Sequence, residues 1–384
     1  MKIAYCIHGT FNSGGMEKII INKANYLVEK GFEVFIITTE QKKRKSFFKI
    51  NDNIKCYDLD INYEDENNSS FLKKFISFQR KQNLHEERLE KILNKIKADI
   101  VISTFGNEVN FLYAIKDGSK KLLEIHFSKF FRKQLQRHGI WSVVDKYRSH
   151  IDCIKARKYD KFVVLTNEDK GYWKEMKNIT VIPNFISLPE ETSRLENKRA
   201  IAVGRLSYQK GYDRMVKAWS IVNKQHPEWK LDIFGNGEEL DYINNMINNL
   251  DLKDSVTIHS PTTTIGEEYK KSSIFLLSSR YEGLPMVLLE AMSYGLAIIS
   301  YDCKCGPKDI LSKENGILVN EGDISSFADS IIELIENNDR MKSLAKNARK
   351  DTYNYSKEVV MNKWIDLFNE ITTKPNHDKE NTSN

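Results

Sequence analysis

Short apolar runs alternate with amphipathic stretches along the chain, and this rhythm begins at the first residues. Ile3–Ile7 is an apolar run, a glycine-bearing loop follows, and residues from about Met16 to Lys30 show a helical pattern. Glu33–Thr38 is a second apolar run. A strand, a loop, a helix and a strand in this order predict the opening of a doubly wound α/β domain. Ligands of such domains bind outside the carboxyl ends of the strands.

The same rhythm predicts two series of strands. In the first half, a long basic helix over Phe71–Lys97 precedes strands at Asp99–Ser103, Lys121–Ile125, Lys161–Leu165 and Asn178–Ile182. In the second half, the predicted strands are Arg199–Val203, Lys230–Phe234, Val256–His259, Ile274–Leu277 and Ala297–Ser300, with a helix at Tyr212–Gln225. CGPKDI (Cys305–Ile310) and ENGILV (Glu314–Val319) are interpreted as turn-and-strand pieces. Three amphipathic helices follow, at about Ile324–Asn337, Arg340–Asn354 and Lys357–Ile371.

A length of 384 residues favours two domains, since single cores rarely grow beyond roughly 250–300 residues. The predicted boundaries are a Rossmann-like domain over residues 1–183, a linker at 184–198 and a second Rossmann-like domain over 199–355. Residues 356–372 are predicted to form a helix that packs back toward the first domain, and the polar tail 373–384 is predicted to be disordered.

Charge divides the chain into two unlike parts. The net charge is +6, yet residues 1–183 hold 34 Lys and Arg against 23 Asp and Glu, whereas the remainder holds 25 against 30. A basic first half predicts an anionic partner there. No nucleic-acid-binding motif is present, so nucleic acid is disfavoured as that partner.

Composition and cysteine usage predict a cytoplasmic protein. The opening MKIAYCIHGTF is interpreted as a first strand rather than a signal peptide, and no apolar run approaches the ~18 residues of a membrane span. The five cysteines are scattered and lack metal-ligand spacing, which favours reduced thiols.

The stretch SSRYEGLPMVLLEA (Ser278–Ala291) combines a strand end, a turn and a helix start. Pro285 suits the first turn of a helix, whose free N–H groups and dipole favour a phosphate. Glu282 on the loop and Glu290 in the helix could both accept hydrogen bonds from sugar hydroxyls beside that phosphate. The alternative, a turn acid and an exposed helical acid, stays open on the residues alone.

Three other positions lie where strands are predicted to end. Gly14 and Gly15 precede the first helix and would let a phosphate or sugar approach the backbone, although the loop lacks the GxGxxG spacing of dinucleotide folds. Arg205 and Lys210 lie on a glycine-bounded loop and suit a diphosphate. His126 follows a strand, and it is either a ligand contact or a satisfied polar group.

A basic segment follows His126. Lys129, Arg132, Lys133 and Arg137 share one face of a predicted helix among phenylalanines. Basic residues interleaved with aromatics suit an anionic membrane surface, and a solvated face over a core stripe is the equal alternative.

The motifs SGGMEK, EIHFS, IPNFI, VGRLSYQKG, FGNGEE, SSRYEGLPMVLLEAMSYG and CGPKDI occur in this order. Together they resemble the retaining glycosyltransferases of family four, which have the two-domain GT-B fold. The resemblance covers Met1 to about Ile371 and is greatest to bacterial enzymes that extend surface polysaccharides.

The resemblance implies a reaction and its partners. A hexose or N-acetylhexosamine would move from a nucleotide-sugar, UDP rather than GDP on family frequency, to a glycan acceptor. That acceptor would be a lipid-linked intermediate of capsule, lipopolysaccharide or exopolysaccharide synthesis, bound by the first domain at the inner face of the cell membrane. The nucleotide-sugar is a co-substrate, and neither a cofactor nor an essential metal is implied, because no Asp-x-Asp motif lies at a plausible site.

The resemblance also implies roles for single residues. Arg205 and Lys210 would neutralise the leaving diphosphate, Glu290 would bind the ribose, and Glu282 would hold the donor sugar. His126 would lie beside that sugar, although the following Phe127 departs from the usual small or polar residue. The expected substrate-binding residues are completed by Gly14, Gly15, Gly235, Gly283, Leu284, Pro285, Met286 and Val287.

Three alternatives remain at this point. A glycoside hydrolase would use Glu282 and Glu290 as its carboxylate pair but has no need of Arg205 and Lys210. A nucleotide-sugar epimerase of the same fold would act without an acceptor. A binding scaffold would retain the ligand contacts without turnover.

Overall fold

The computed structural model describes residues 1–66, 71–132, 139–173 and 176–373. Its first half forms a seven-stranded sheet in the order β3-β2-β1-β4-β5-β6-β7. The strands are β1 (Lys2–Ile7), β2 (Glu33–Thr38), β3 (Lys55–Asp58), β4 (Ile100–Ser103), β5 (Lys120–Glu124), β6 (Lys161–Val164) and β7 (Ile179–Val181).

The second half forms a six-stranded sheet in the order β10-β9-β8-β11-β12-β13. Its strands are β8 (Arg199–Val203), β9 (Lys230–Phe234), β10 (Val256–His259), β11 (Ile274–Leu277), β12 (Ala297–Tyr301) and β13 (Ile317–Val319). Every pairing in both sheets is parallel, which requires crossover connections between successive strands.

Helices supply most of these crossovers. In the first half they are α1 (Gly15–Glu29), α2 (Phe71–Ile96), α3 (Ile140–Ala156) and α4 (Asn167–Tyr172). In the second half they are α5 (Tyr212–Gln225), α6 (Leu240–Asn249), α7 (Ile265–Lys270), α8 (Met286–Ser293) and α9 (Pro307–Ile310). Three further helices follow the last strand, namely α10 (Ile324–Glu336), α11 (Asn338–Asp351) and α12 (Lys357–Thr372). The prediction of two doubly wound, Rossmann-like sheets is therefore confirmed.

The last helix, α12, returns to the first sheet. Trp364 and Phe368 are buried in one apolar cluster with Ile3 of β1 and Leu27 of α1. The segment that leaves the first sheet runs beside the segment that precedes α12, since Ile186 forms a parallel bridge with Ser356. Among the described residues, no helix is both long and apolar enough to cross a membrane.

The predicted helix over 129–137 is wrong where it can be assessed. Residues 129 and 130 form a turn, residues 131 and 132 are 3-10 helical, and residues 133–138 lie outside the described residues. The Lys129 N–H donates to Asp169 (2.9 Å) and the Phe130 N–H to the hydroxyl of Ser128 (3.2 Å). Such side-chain acceptors compete with helical hydrogen bonds.

The basic face predicted on that helix is also absent from the described residues. The Lys129 ammonium donates to the carbonyl of Tyr172, and Arg132 forms an ion pair with Asp152. Lys133 and Arg137 lie outside the described residues, as do residues 374–384 of the predicted tail.

One further prediction is wrong in detail. The motif CGPKDI is a turn followed by the short helix α9 rather than a turn and a strand. Pro307 occupies the start of that helix, where its missing N–H has no intrahelical acceptor to lose.

Candidate active site

The candidate site lies at the point where the order of the second sheet reverses. From β8 the chain proceeds outward to β9 and β10, and then returns to place β11 on the other side of β8. The loops that follow β8 and β11 therefore leave the carboxyl edge of the sheet at this switch point, where folds of this kind bind ligands in a crevice outside the strand ends. These are the loops that carry the motifs VGRLSYQKG and SSRYEGLP.

Lys210 and Glu282 meet at this crevice. The Lys210 ammonium donates to Oε1 of Glu282 at 2.7 Å, and the Ser279 hydroxyl donates to the same oxygen at 2.6 Å. The side chains of Lys210 and Glu282 are 19% and 7% exposed. Two donors thus orient one oxygen of the Glu282 carboxylate. The Lys210 ammonium and this carboxylate lie side by side, and both are largely shielded from water.

The two loops are joined along their length. The Ser278 hydroxyl donates to the carbonyl of Lys210 (2.8 Å), and the Arg280 N–H donates to the carbonyl of Gln209 (2.7 Å). Gly211 has a φ of +65°, and a Cβ there would lie 2.3 Å from the carbonyl oxygen of Ser278. Only glycine allows this approach, so the loop geometry that places Lys210 depends on it.

Arg205 lies apart from this pair. Its Nε donates to Glu238 at 3.1 Å, and its side chain is 72% exposed. The structure therefore does not bring Arg205 to Glu282, although both residues lie on loops at the same end of the sheet.

The helix start predicted from SSRYEGLPMVLLEA is present. Pro285 precedes α8, whose first residues are Met286 and Val287, and buried Leu284 packs beneath the turn. The first N–H groups of a helix have no intrahelical acceptor, so this turn presents donors and a positive dipole end. A Cβ on Gly283 would lie 3.2 Å from the Cα of Phe127. This loop therefore packs against the segment that follows β5 of the first sheet.

Glu290 lies one turn into α8 and faces the first half of the chain. Burial raises the pKa of Glu290, and the Lys18 ammonium of α1 opposes that shift. Lys18 was not singled out in the sequence, although it is the last residue of the motif SGGMEK.

The other three glycines predicted for the site have different surroundings. Gly14 precedes α1, and a Cβ there would lie 2.1 Å from a carboxylate oxygen of Glu17. A Cβ on Gly15 would meet nothing within 4 Å, so the first helical residue borders open space. A Cβ on Gly235 would lie 1.9 Å from the carbonyl oxygen of Gly204, which shows that Gly235 lets the loops after β8 and β9 touch.

His126 lies just past β5, and its side chain is 6% exposed. Its Nε2 atom is 3.4 Å from Oε1 of Glu124, and neither ring nitrogen has a hydrogen-bond partner among the described residues. Glu124 was not singled out in the sequence, although a residue two positions earlier lies on the same side of an extended strand.

The segment 304–309 connects the two halves of the chain. The Asp309 carboxylate accepts from the N–H groups of Asn167 (2.9 Å) and Glu168 (3.0 Å), and Lys308 forms an ion pair with Glu168 (3.1 Å). Cys305 lies 3.2 Å from the hydroxyl of Ser128. The motif CGPKDI was recognised in the sequence, but its partners are more than a hundred residues away and could not be inferred from spacing.

No group of three or more His, Cys, Asp or Glu side chains suited to a metal ion is found within the described ranges.

Known proteins resemble this chain over most of its length. Residues 186–351 match the family described as Glycosyl transferases group 1. An uncharacterized glycosyltransferase of Haemophilus influenzae is 31% identical over 373 residues, which cover 94% of this chain and 98% of that protein. The amylovoran biosynthesis glycosyltransferase AmsD of Erwinia amylovora is 38% identical over 222 residues, which cover 55% of this chain and 62% of AmsD.

A solved structure has the same fold. A mutant of TarM from S. aureus, in complex with fondaparinux, alpha-GlcNAc-glycerol and UDP, superposes with a TM-score of 0.74 at 19% identity, covering 96% of this chain and 99% of that one. The fold is thus GT-B, and with the full-length relative and the family match, this chain belongs to the group 1 glycosyltransferases.

Proposed function

We propose that this glycosyltransferase is a retaining family-four enzyme, which moves a hexose or N-acetylhexosamine from a UDP-sugar to a glycan acceptor. The observation that carries the proposal is the Lys210–Glu282 pair at the crevice between β8 and β11, directly before the start of α8. A cation and free helix N–H groups suit a diphosphate, and a carboxylate suits sugar hydroxyls. A glycoside hydrolase would have no use for this cation.

The chemistry follows from charge. The bond between the anomeric carbon and the diphosphate oxygen breaks, and its electron pair stays on the diphosphate. Lys210 and the N–H groups of Met286 and Val287 would stabilise that charge, which is the largest catalytic effect such a site offers. The acceptor hydroxyl attacks from the face the diphosphate leaves, and its proton passes to a departing phosphate oxygen. No nucleophile from the protein enters this route.

Glu282 and Glu290 would bind different parts of the nucleotide-sugar. Glu282, fixed by Ser279, would accept from hydroxyls of the sugar, and Glu290 would accept from the ribose. The diphosphate would then lie between the two carboxylates, at the start of α8 and opposite Gly15. We also propose that Arg205 assists only as a peripheral cation, since it is highly exposed and pairs with Glu238. The proposal includes no essential metal and no cofactor.

Each half of the chain would bind one of the two substrates. Residues 199–355 would bind the nucleotide-sugar, and residues 1–183 would bind the acceptor, with 184–198 as the linker and 356–372 as the returning helix. The named role of AmsD in amylovoran biosynthesis supports a surface-polysaccharide glycan as the acceptor, carried on a lipid.

A panel of UDP- and GDP-sugars tests the proposal. Release of the nucleoside diphosphate should occur with one or a few UDP-sugars, should increase when alkyl glycosides are added as acceptors, and should persist in a metal chelator. Formation of an altered sugar that is still attached to the nucleotide, without an acceptor and without release of the nucleoside diphosphate, would indicate an epimerase. Binding of the nucleotide with no turnover under any condition would indicate a scaffold.

A cytoplasmic, peripheral location on the inner face of the cell membrane belongs to the same proposal. Since Lys129 and Arg132 are paired within the protein, we propose the start of α2 as the surface that meets the membrane. Phe75 and Ile76 are 65% and 61% exposed there, and Lys73 and Lys74 are exposed beside them. Exposed apolar side chains beside lysines fit an anionic lipid surface.

Sedimentation with vesicles is expected to show binding to anionic membranes, weak binding to neutral ones and loss of binding at about 1 M salt. Lys73→Glu/Lys74→Glu should weaken the binding, because each lysine near an anionic surface contributes about 1 kcal/mol. Lys91→Glu/Lys95→Glu makes the same charge change at the other end of α2 and should have a smaller effect. Equal losses in both variants would show only a general charge effect, and no binding at low salt would contradict the membrane proposal.

A further inference from the structure

A buried ion pair lies directly behind His126. The ammonium of Lys23, on α1, donates to Oε2 of Glu124 at the end of β5, and both side chains are 2% exposed. The other oxygen of Glu124, Oε1, is the atom 3.4 Å from Nε2 of His126. One carboxylate therefore faces a lysine with one oxygen and the histidine with the other.

Two aromatic side chains close this pair off from water. The Lys23 ammonium lies 3.5 Å from the ring centre of Trp364, on the returning helix α12, and 5.7 Å from that of Tyr5 on β1. Trp364 and Tyr5 are 3% and 0% exposed. The aromatic faces attract the cation, so Lys23 is held between them and the carboxylate.

The charge states follow from this packing. Burial would raise the pKa of Glu124, but the charge and hydrogen bond of Lys23, together with the nearby imidazole of His126, lower it to about 2. Burial lowers the pKa of Lys23, and Glu124 opposes that shift. Tyr5 also faces the pair, and burial raises its pKa well above the usual value. Glu124 is thus an anion at neutral pH, and it can only accept.

We propose that Glu124 is a positioning residue, which holds the imidazole of His126 with its proton on Nε2 and thereby leaves Nδ1, a buried atom without a partner among the described residues, as an acceptor for a hydroxyl of the bound sugar. The inference rests on the proposed function for the identity of that ligand. A carboxylate behind a functional histidine fixes both the ring orientation and the tautomer. Lys23 fixes the carboxylate in turn.

Glu124→Gln tests this directly. The glutamine carbonyl would accept from Lys23, so its amide would donate toward Nε2 and the imidazole proton would move to Nδ1. Nitrogen NMR of ¹⁵N-histidine-labelled protein, at a pH where imidazoles are neutral, should show the Nε2–H form in the wild type and the Nδ1–H form in the variant. The His126→Asn variant identifies the signal among the eight histidines.

Kinetics supply the second readout. With a UDP-sugar that the wild type turns over, Glu124→Gln should lower kcat by about 10–100-fold, by analogy with the partners that orient metal-binding histidines, and leave UDP affinity unchanged. If the single variant folds poorly, Lys23→Met/Glu124→Gln can replace it, because this double variant removes both charges. Its kcat should be lowered by a similar factor. Lys121→Met/Asp117→Asn is the matched control, because it removes another buried ion pair, in which Lys121 of β5 is paired with Asp117 instead of Glu124.

The outcomes separate the two proposals. An unchanged tautomer, an unchanged kcat, or an equal loss of kcat in the control pair would overturn the positioning role. A wild type that turns over no donor would contradict the proposed function, while the tautomer measurement would still decide whether Glu124 positions His126.

Discussion

Glu282→Gln is expected to lower kcat by about 10²–10³-fold, the effect of removing one preorganised polar group from an active site. Oε1 of Glu282 accepts from Lys210 and Ser279, and the side chain is 7% exposed, so the carboxylate is fixed before the sugar arrives. Glutamine keeps the shape but removes the charge and turns one acceptor into a donor. The loss should fall on kcat more than on the affinity for UDP, because Glu282 is assigned to the sugar.

Steady-state kinetics with the preferred donor, together with calorimetry for UDP, measure both quantities. Glu333→Gln is a suitable control, since Glu333 forms a surface ion pair with Arg340 on the far helices. A Glu282→Gln enzyme with near wild-type kcat would remove this carboxylate from the donor site.

Lys210→Ala is expected to weaken UDP binding by about 10–100-fold and uridine binding hardly at all. A hydrogen bond to a charged group contributes about 1.5–3 kcal/mol, and the diphosphate carries the charge that uridine lacks. Arg205→Ala should have a smaller effect, because its side chain is 72% exposed and screened by water, whereas that of Lys210 is 19% exposed.

Calorimetry with UDP and with uridine distinguishes the two cations. Equal losses for both ligands in Lys210→Ala would mean that the substitution disturbs the whole crevice. A larger loss of UDP binding in Arg205→Ala than in Lys210→Ala would reverse the assignment and make Arg205 the principal phosphate contact.

The sequence predicts the strands of both sheets well because most of them are apolar runs buried on both faces. Ile274–Leu277 was predicted with the bounds that the structure shows. The edge strand β3 was missed, since its sequence KCYD has no apolar run and is largely exposed. The helix α3 was also missed, because its apolar residues Trp141, Val143 and Tyr147 are exposed and give no clear core stripe.

The candidate site was predictable wherever one short motif carries it. Glu282, Pro285 and the start of α8 lie within a few residues of one another, so turn and helix signals suffice to place them. The pairing of Glu282 with Lys210 joins positions 72 apart, and that of Glu124 with Lys23 joins positions 101 apart. Such contacts depend on the order of strands in the sheet, which periodicity does not encode.

The contacts between the two halves of the chain could likewise not be predicted from the pattern of apolar and polar residues. Gly283 was expected to offer its backbone to a ligand, and the structure also places it against Phe127. From its residue type alone, Asp309 would be expected to face solvent, yet its carboxylate accepts hydrogen bonds from two N–H groups at the start of α4. Both residues serve contacts between distant segments.

Proton NMR of the transfer reaction tests the central proposal most directly. The wild-type enzyme is incubated with the preferred α-configured UDP-sugar and an alkyl glycoside acceptor, and the coupling constant of the new anomeric proton is read as the product forms. For a retaining transferase we expect release of UDP together with a first-formed product of α configuration. A first-formed β product would contradict retention, and sugar released to water as the only product, with or without the acceptor, would contradict glycosyl transfer.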